Sequence, residues 1–160
     1  MTSLSFMWLH LWGSILVFNV LAVCIRKKLS WSDIYSTTLF AYILEYTVDS
    51  ILNLHYHLYG YFNEGFEYIG LIPIFLVYPA ISILYLNLYP FHKPILQHVV
   101  YIAGWTLFSI VYEWSTVQAG WFYYVSWKLW YSALIYPVLF VILLLNYKFT
   151  RWLAKPAGHK

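Results

Sequence analysis

Two carboxylates four residues apart, Glu45 and Asp49, lie in the middle of an apolar segment. About 20 apolar residues cross a hydrocarbon core of about 30 Å, and a charge placed there costs about 2.5–3.5 kcal/mol. Residues at this spacing share one face of a helix. Two carboxylates on one buried face could share a proton, bind a cation or serve as general acid and base. They are therefore the first candidates for function.

Glu113 and Lys128 are the next candidates, because each lies near the end of an apolar run on the side of the membrane predicted for the carboxylate pair. We predict a polar cluster of Glu45, Asp49, Glu113 and Lys128, in which the ammonium group or a shared proton compensates the acids. The alternative is a polar network that only fixes how the helices pack.

A metal site is a further alternative at His55 and His57, which have a carboxylate one or two helical turns earlier. Imidazole and carboxylate suit zinc and similar divalent ions. In a helix, however, two residues at this spacing point about 200° apart. A pair of interfacial histidines bound to backbone or water is the commoner outcome, and no catalytic signature accompanies them. We predict no cofactor.

The composition is that of an integral membrane protein with one domain, 1–160. Of its 160 residues, 62% are hydrophobic and 9% are charged, whereas soluble proteins have about 25% charged residues. The 9 Trp and 17 Tyr suit the two membrane interfaces. Cys24 is the single cysteine, which excludes an intrachain disulfide and a thiolate cluster within one chain.

We predict an all-α integral membrane bundle of five transmembrane helices, because lipid leaves no partner for unpaired backbone groups. The apolar runs cover about 4–25, 34–54, 68–88, 95–115 and 127–147. The third run is expected to bend because it contains Pro73 and Pro79, and the fifth contains Pro137. The aromatic and polar stretch 55–67 is interpreted as an interfacial loop.

Basic residues give the orientation, since cytoplasmic loops are enriched in Lys and Arg. If the first linker is cytoplasmic, eight of the nine lie inside: Arg26, Lys27, Lys28, Lys93, Lys148, Arg151, Lys155 and Lys160. Only Lys128 is then outside. We predict an external N-terminus and a cytoplasmic C-terminus. This placement indicates topology and excludes nucleic-acid binding; the partners expected are the lipid bilayer and either a second copy or another membrane protein.

The stretches HYHLYGYF, PIFLVYPA, FSIVYEW and WKLWYSALIYPVLF resemble a family of small, uncharacterised multi-pass membrane proteins of endospore-forming bacteria such as bacilli and clostridia. The likeness covers about 35–151. It implies a bacterial cytoplasmic membrane location and no particular chemistry.

Three classes of function follow. The first is a non-enzymatic membrane or spore-associated component with a buried acidic face, which a fully packed interior would favour. The second is a proton- or ion-coupled small transporter, which a water-filled cavity reaching Glu45 would favour. The third is an intramembrane enzyme that acts on a lipid or isoprenoid through paired carboxylates, which a lateral opening onto Asp49 would favour.

Overall fold

A computed structural model describes residues 4–25, 28–63 and 68–154, and it is almost entirely helical. The chain forms, in order, α1 (Leu4–Cys24), α2 (Trp31–Asp49), a π-helical turn (Ser50–His55), β1 (Tyr59–Tyr61), a 3-10 turn (Tyr68–Gly70), α3 (Leu71–Leu76), α4 (Tyr78–Leu88), α5 (Ile95–Ala119), β2 (Phe122–Tyr124) and α6 (Leu129–Leu153).

Four helical segments are long and apolar enough to cross a membrane. They are α1, the segment Tyr68–Leu88, α5 and α6, with 21, 21, 25 and 25 residues. Their outer surfaces carry large apolar side chains, for example Val23, Leu107 and Leu134, which are 69%, 63% and 64% exposed. The predicted second span is helical as well, but it is interrupted by the π-helical turn and is not among these four. Five spanning helices therefore remain a prediction.

The helical segments pack in a closed ring. Helix α1 contacts α4 and α5, α5 contacts α6, α6 contacts α2, and α2 contacts α4. The order of the helices around the ring differs from their order along the chain, because α2 lies between α4 and α6. Residues on the inner faces of α2, α4, α5 and α6 thus meet around a common centre.

The helical segment 68–88 breaks at Val77, as its two prolines predict. Pro79 has no N–H to donate to the carbonyl of Phe75, four residues earlier. The hydroxyl of Tyr42 donates to that carbonyl instead, at 3.3 Å. The side-chain amide of Asn19 donates to the next carbonyl, that of Leu76, at 2.8 Å. Neighbouring helices therefore supply donors at the break, and α4 begins anew at Tyr78.

The two strands were not predicted from the sequence. Strand β1 lies in the predicted interfacial loop and β2 in the linker after α5, and they pair antiparallel with Tyr59 opposite Tyr124 and Tyr61 opposite Phe122. We call this pair the ribbon. Side chains alternate along a strand, so these four rings share one face of the ribbon.

Two glycines permit this geometry. Gly120, with φ 88°, ends α5 in the left-handed conformation, from which the chain turns directly into β2. Gly60 lies opposite Tyr123 in the ribbon, and a Cβ there would clash with the end of the Tyr123 ring. On the outward face of the ribbon, Tyr123 thus covers Gly60. On the inward face, four rings point to the bundle: Tyr59, Tyr61, Phe122 and Tyr124.

Candidate functional site

A cavity of about 120 Å³ lies between α2, α4, α5 and α6, and the inward face of the ribbon lines one end of it. One water requires about 10–15 Å³ on the same measure, so there is room for several. The lining includes three acidic side chains, Glu45, Asp49 and Glu113. We call this space the acidic cavity. A fully packed interior, which would favour the first class of function, is not what the structure has at this position.

Asp49 is the last residue of α2, directly before the π-helical turn, and it is buried. The hydroxyls of Tyr59 and Tyr61 donate to its two carboxylate oxygens at 2.6 Å and 3.0 Å. Burial, followed by the nearby Asp49 charge, raises the pKa of both phenols, so they stay protonated donors. Tyr78 extends this chain, since its hydroxyl lies 3.0 Å from that of Tyr61. The ribbon therefore holds Asp49 through two alternate residues of one strand.

Glu113 on α5 is also buried, and hydroxyl groups hold it too. Tyr124 of the ribbon and Ser132 of α6 donate to one carboxylate oxygen, at 2.6 Å and 2.9 Å. Tyr136 donates to the other oxygen through a very short bond. Ser132 and Tyr136 are four residues apart and so lie on one face of α6. The indole N–H of Trp127 donates to Ser132 in turn, at 2.9 Å.

Glu45 differs from the other two acids. It lines the acidic cavity and keeps part of its surface accessible. Within the described part of the chain, no donor forms a hydrogen bond to its carboxylate. It lies one turn before Asp49 on the same face of α2, as its spacing predicts. Among the three acids of the cavity, Glu45 is therefore the one to which the described residues donate no hydrogen bond.

Lys128 is exposed at the start of α6 and is not among the residues that line the acidic cavity. The structure thus surrounds Glu113 with hydroxyl groups rather than with the ammonium group. None of the described residues that line the cavity is a lysine, arginine or histidine. Of the predicted polar cluster, Glu45, Asp49 and Glu113 come together and Lys128 stays outside.

His10 lies behind the acidic cavity, on α1. Its Nδ1 accepts a hydrogen bond from the indole N–H of Trp121 at 3.0 Å, and its Nε2 lies 3.1 Å from the hydroxyl of Ser115. That hydroxyl donates to the carbonyl of Tyr112, so it is free to accept from Nε2–H. A neutral imidazole satisfies this pattern. His10 therefore supports Trp121, which lines the cavity, and adds no charge to it.

His55 and His57 are both exposed, and the His55 ring packs edge-on against Tyr56 at 4.7 Å. His57 has a positive φ of 52°. In the described ranges, no group of three or more His, Cys, Asp and Glu side chains is placed to hold a metal ion. The two histidines stay at the surface, away from the carboxylates of the acidic cavity.

The hydroxyl groups that donate to Asp49 and Glu113 were not predicted from the sequence. They are Tyr59, Tyr61, Tyr124, Ser132 and Tyr136. One signal was present: Tyr59 and Tyr61 alternate around a glycine in the stretch YGY, which in a strand places both on one face.

Comparison of the chain with protein-family models, with curated proteins and with solved structures gave no match.

Proposed function

We propose that this chain is a non-enzymatic integral membrane protein that exchanges protons for a small cation in the acidic cavity. The observation that carries the proposal is the charge of the lining, because three carboxylates share the cavity and none of its described lining residues is basic. Carboxylates away from bulk water are either protonated or paired with a cation. A cavity with room for water, and a carboxylate to which no described residue donates, provide a place for that cation.

The aromatic residues of the lining also indicate which cations to test. Aromatic side chains, among them Trp121, Phe122 and Trp127, face the same space as the acids. Aromatic faces attract cations electrostatically, and organic ammonium ions are bound in this way. Sodium, potassium and small ammonium ions are therefore the candidates to test. The cavity supports the ion-coupled alternative raised by the sequence, and we propose that the ion binds at Glu45.

We further propose that Trp31–His55 is the fifth membrane crossing. At about 1.5 Å per residue, its 25 residues (19 in α2 and 6 in the π-helical turn) reach about 37 Å. That exceeds the hydrocarbon core of about 30 Å. Glu45 and Asp49 line the acidic cavity instead of facing lipid, which avoids most of the cost of burying them. Packing of α2 between α4 and α6 supports the same position.

For orientation, we propose that the end with Lys28, Lys93, Lys148 and Arg151 is cytoplasmic, in a bacterial cytoplasmic membrane, as the positive-inside rule and the family resemblance imply. Cys24 is exposed and would be replaced by serine first. In intact cells, an impermeant thiol reagent should label Ser126→Cys and spare Lys93→Cys. The opposite result would reverse the orientation without touching the proposal on the acidic cavity.

Transport is tested with the purified protein in liposomes. An imposed sodium, potassium or methylammonium gradient should drive proton movement faster than in empty liposomes, and Asp49→Asn should slow it. Ser109→Ala is the matched control, since it changes a lining residue and keeps all three acids. If the parent moves no protons with any of these cations, the exchange is ruled out. Equal rates for Asp49→Asn and the parent would exclude Asp49 from it.

A further inference from the structure

A second cavity, of about 600 Å³, opens at the opposite end of the molecule from the ribbon. Three parts of the chain form it: the turn before α2, the loop between α4 and α5, and the last turns of α6. Its lining includes the basic residues Lys28, Lys93, Lys148 and Arg151, together with His92. We call it the basic cavity. Four cations brought together from three segments make a site for an anion.

The charges of the basic cavity are poorly compensated. None of the described residues that line it is acidic. Asp33, which does not line the cavity, interacts electrostatically with Arg151. The carboxylate of Asp33 also accepts hydrogen bonds from the backbone and hydroxyl of Ser30, at 2.9 Å and 2.8 Å. Among the described residues, the four basic side chains of the cavity are thus matched by one nearby carboxylate, which already accepts the hydrogen bonds of a helix cap.

Arg151 is already positioned in the basic cavity. Its guanidinium donates to the hydroxyl of Tyr147 at 2.9 Å and lies 5.7 Å from the centre of that ring. Tyr147 is buried in the core with Tyr89 and Phe91. A guanidinium anchored on one side can present its remaining N–H groups to oxygen atoms, and phosphate is the anion that suits this fork.

Exposed apolar side chains lie on the helix ends that form the basic cavity. Trp152 lines it and is 64% exposed, with Phe149 beside it stacked at 5.9 Å. At the start of α5, on the chain segment that follows the loop, Ile95 and Leu96 are exposed as well. A cationic space for a headgroup with apolar surface next to it for acyl chains is the pattern of a site for an anionic lipid, rather than for a soluble phosphate.

We propose that the basic cavity binds the phosphate of an anionic membrane lipid, in the leaflet at that end of the protein. The cations of Lys28, Lys93 and Lys148 supply the attraction, Arg151 supplies oriented donors, and the exposed apolar side chains at the helix ends contact the acyl chains. The proposal is independent of ion exchange in the acidic cavity, since the two cavities have no lining residue in common.

Native mass spectrometry of the full chain in detergent tests this. Phosphatidylglycerol should bind at least five-fold more tightly than phosphatidylcholine, and higher salt should weaken the difference. The double variant Lys93→Gln/Lys148→Gln should lose about five-fold in affinity for each lysine removed, or about 25-fold in all. Both lysines are exposed, so the variant should fold; Lys28→Gln provides a second, milder test at the same cavity.

Lys128→Gln is the matched control, because it removes the same charge from an exposed lysine outside the basic cavity. It should bind phosphatidylglycerol like the parent. Three results would overturn the proposal: equal affinity for the two lipids in the parent, an equal loss in Lys128→Gln, which would indicate a net-charge effect, or competition by soluble glycerol 3-phosphate at the concentration of the lipid, which would indicate a soluble ligand.

Discussion

The two cavities of the molecule have opposite charge and are built in different ways. In the acidic cavity, Asp49 and Glu113 are 6% and 7% exposed and accept five hydrogen bonds from side-chain hydroxyls, two and three respectively. In the basic cavity, the lysines are exposed, and Arg151 donates a side-chain hydrogen bond to Tyr147, which is its partner among the described residues. Buried charges require donors in fixed positions, whereas exposed charges need only be brought near each other.

The ribbon supplies the fixed donors that the buried acids require. Asp49 and Glu113 lie on two helices, and one face of the ribbon supplies donors to both, through Tyr59 and Tyr61 on one strand and Tyr124 on the other. A helix could not place Tyr59 and Tyr61 on one side, since residues two apart lie about 200° apart around its axis. A short strand at the end of the bundle does so directly.

The largest effect is expected from Glu113→Leu, which leaves the hydroxyls of Tyr124, Ser132 and Tyr136 without their acceptor. We expect it to lower the free energy of unfolding by about 3 kcal/mol or more. Glu113→Gln keeps an acceptor oxygen and should cost clearly less. Thermal unfolding in detergent, followed by tryptophan fluorescence, measures both. Equal stability of the two variants would show that the hydroxyl contacts contribute nothing.

A smaller effect is expected from Tyr59→Phe/Tyr61→Phe, which removes both donors to Asp49 and keeps the rings. The expected loss is about 2 kcal/mol in the free energy of unfolding. Tyr123→Phe is the control on the outward face of the ribbon, where the hydroxyl donates to the Asn63 carbonyl at 3.0 Å. If the control is destabilised as much as the double variant, the inward hydroxyls have no special role.

The smallest effect on stability is expected at the basic cavity. Lys93→Gln/Lys148→Gln changes two exposed side chains, so the free energy of unfolding should change by less than about 0.5 kcal/mol. The same unfolding measurement, without added anionic lipid, checks it. A loss near that of Glu113→Leu would contradict the contrast between the two cavities.

Much of the helical architecture could be predicted, since it depends on runs within the chain. The apolar runs 4–25, 68–88, 95–115 and 127–147 correspond to the four long apolar segments, and α5 and α6 extend beyond the predicted ends to Ala119 and Leu153. The break at Val77 follows from Pro79 through a lost backbone donor. Pro137, by contrast, lies inside the continuous helix α6.

The rest depends on contacts between distant parts of the chain. Strands of three residues give no periodic signal, and the pairing of Tyr59 with Tyr124 joins segments 65 positions apart (124 minus 59). Glu45 and Asp49 could be paired from their spacing alone. That Glu113 would join them with Ser132 and Tyr136, while Lys128 stayed at the surface, depends on how α5 meets α6.

Proton release on cation binding measures whether the acidic cavity exchanges protons for a cation at Glu45. Sodium, potassium or methylammonium chloride is added to the purified protein in weakly buffered detergent with a pH indicator. Because protons and the cation compete, the parent should release about one proton per chain, and the apparent affinity should rise with pH. Glu45→Gln should fold normally and release far fewer. No release from the parent with any of the three cations, or equal release from Glu45→Gln, would rule out cation exchange at Glu45.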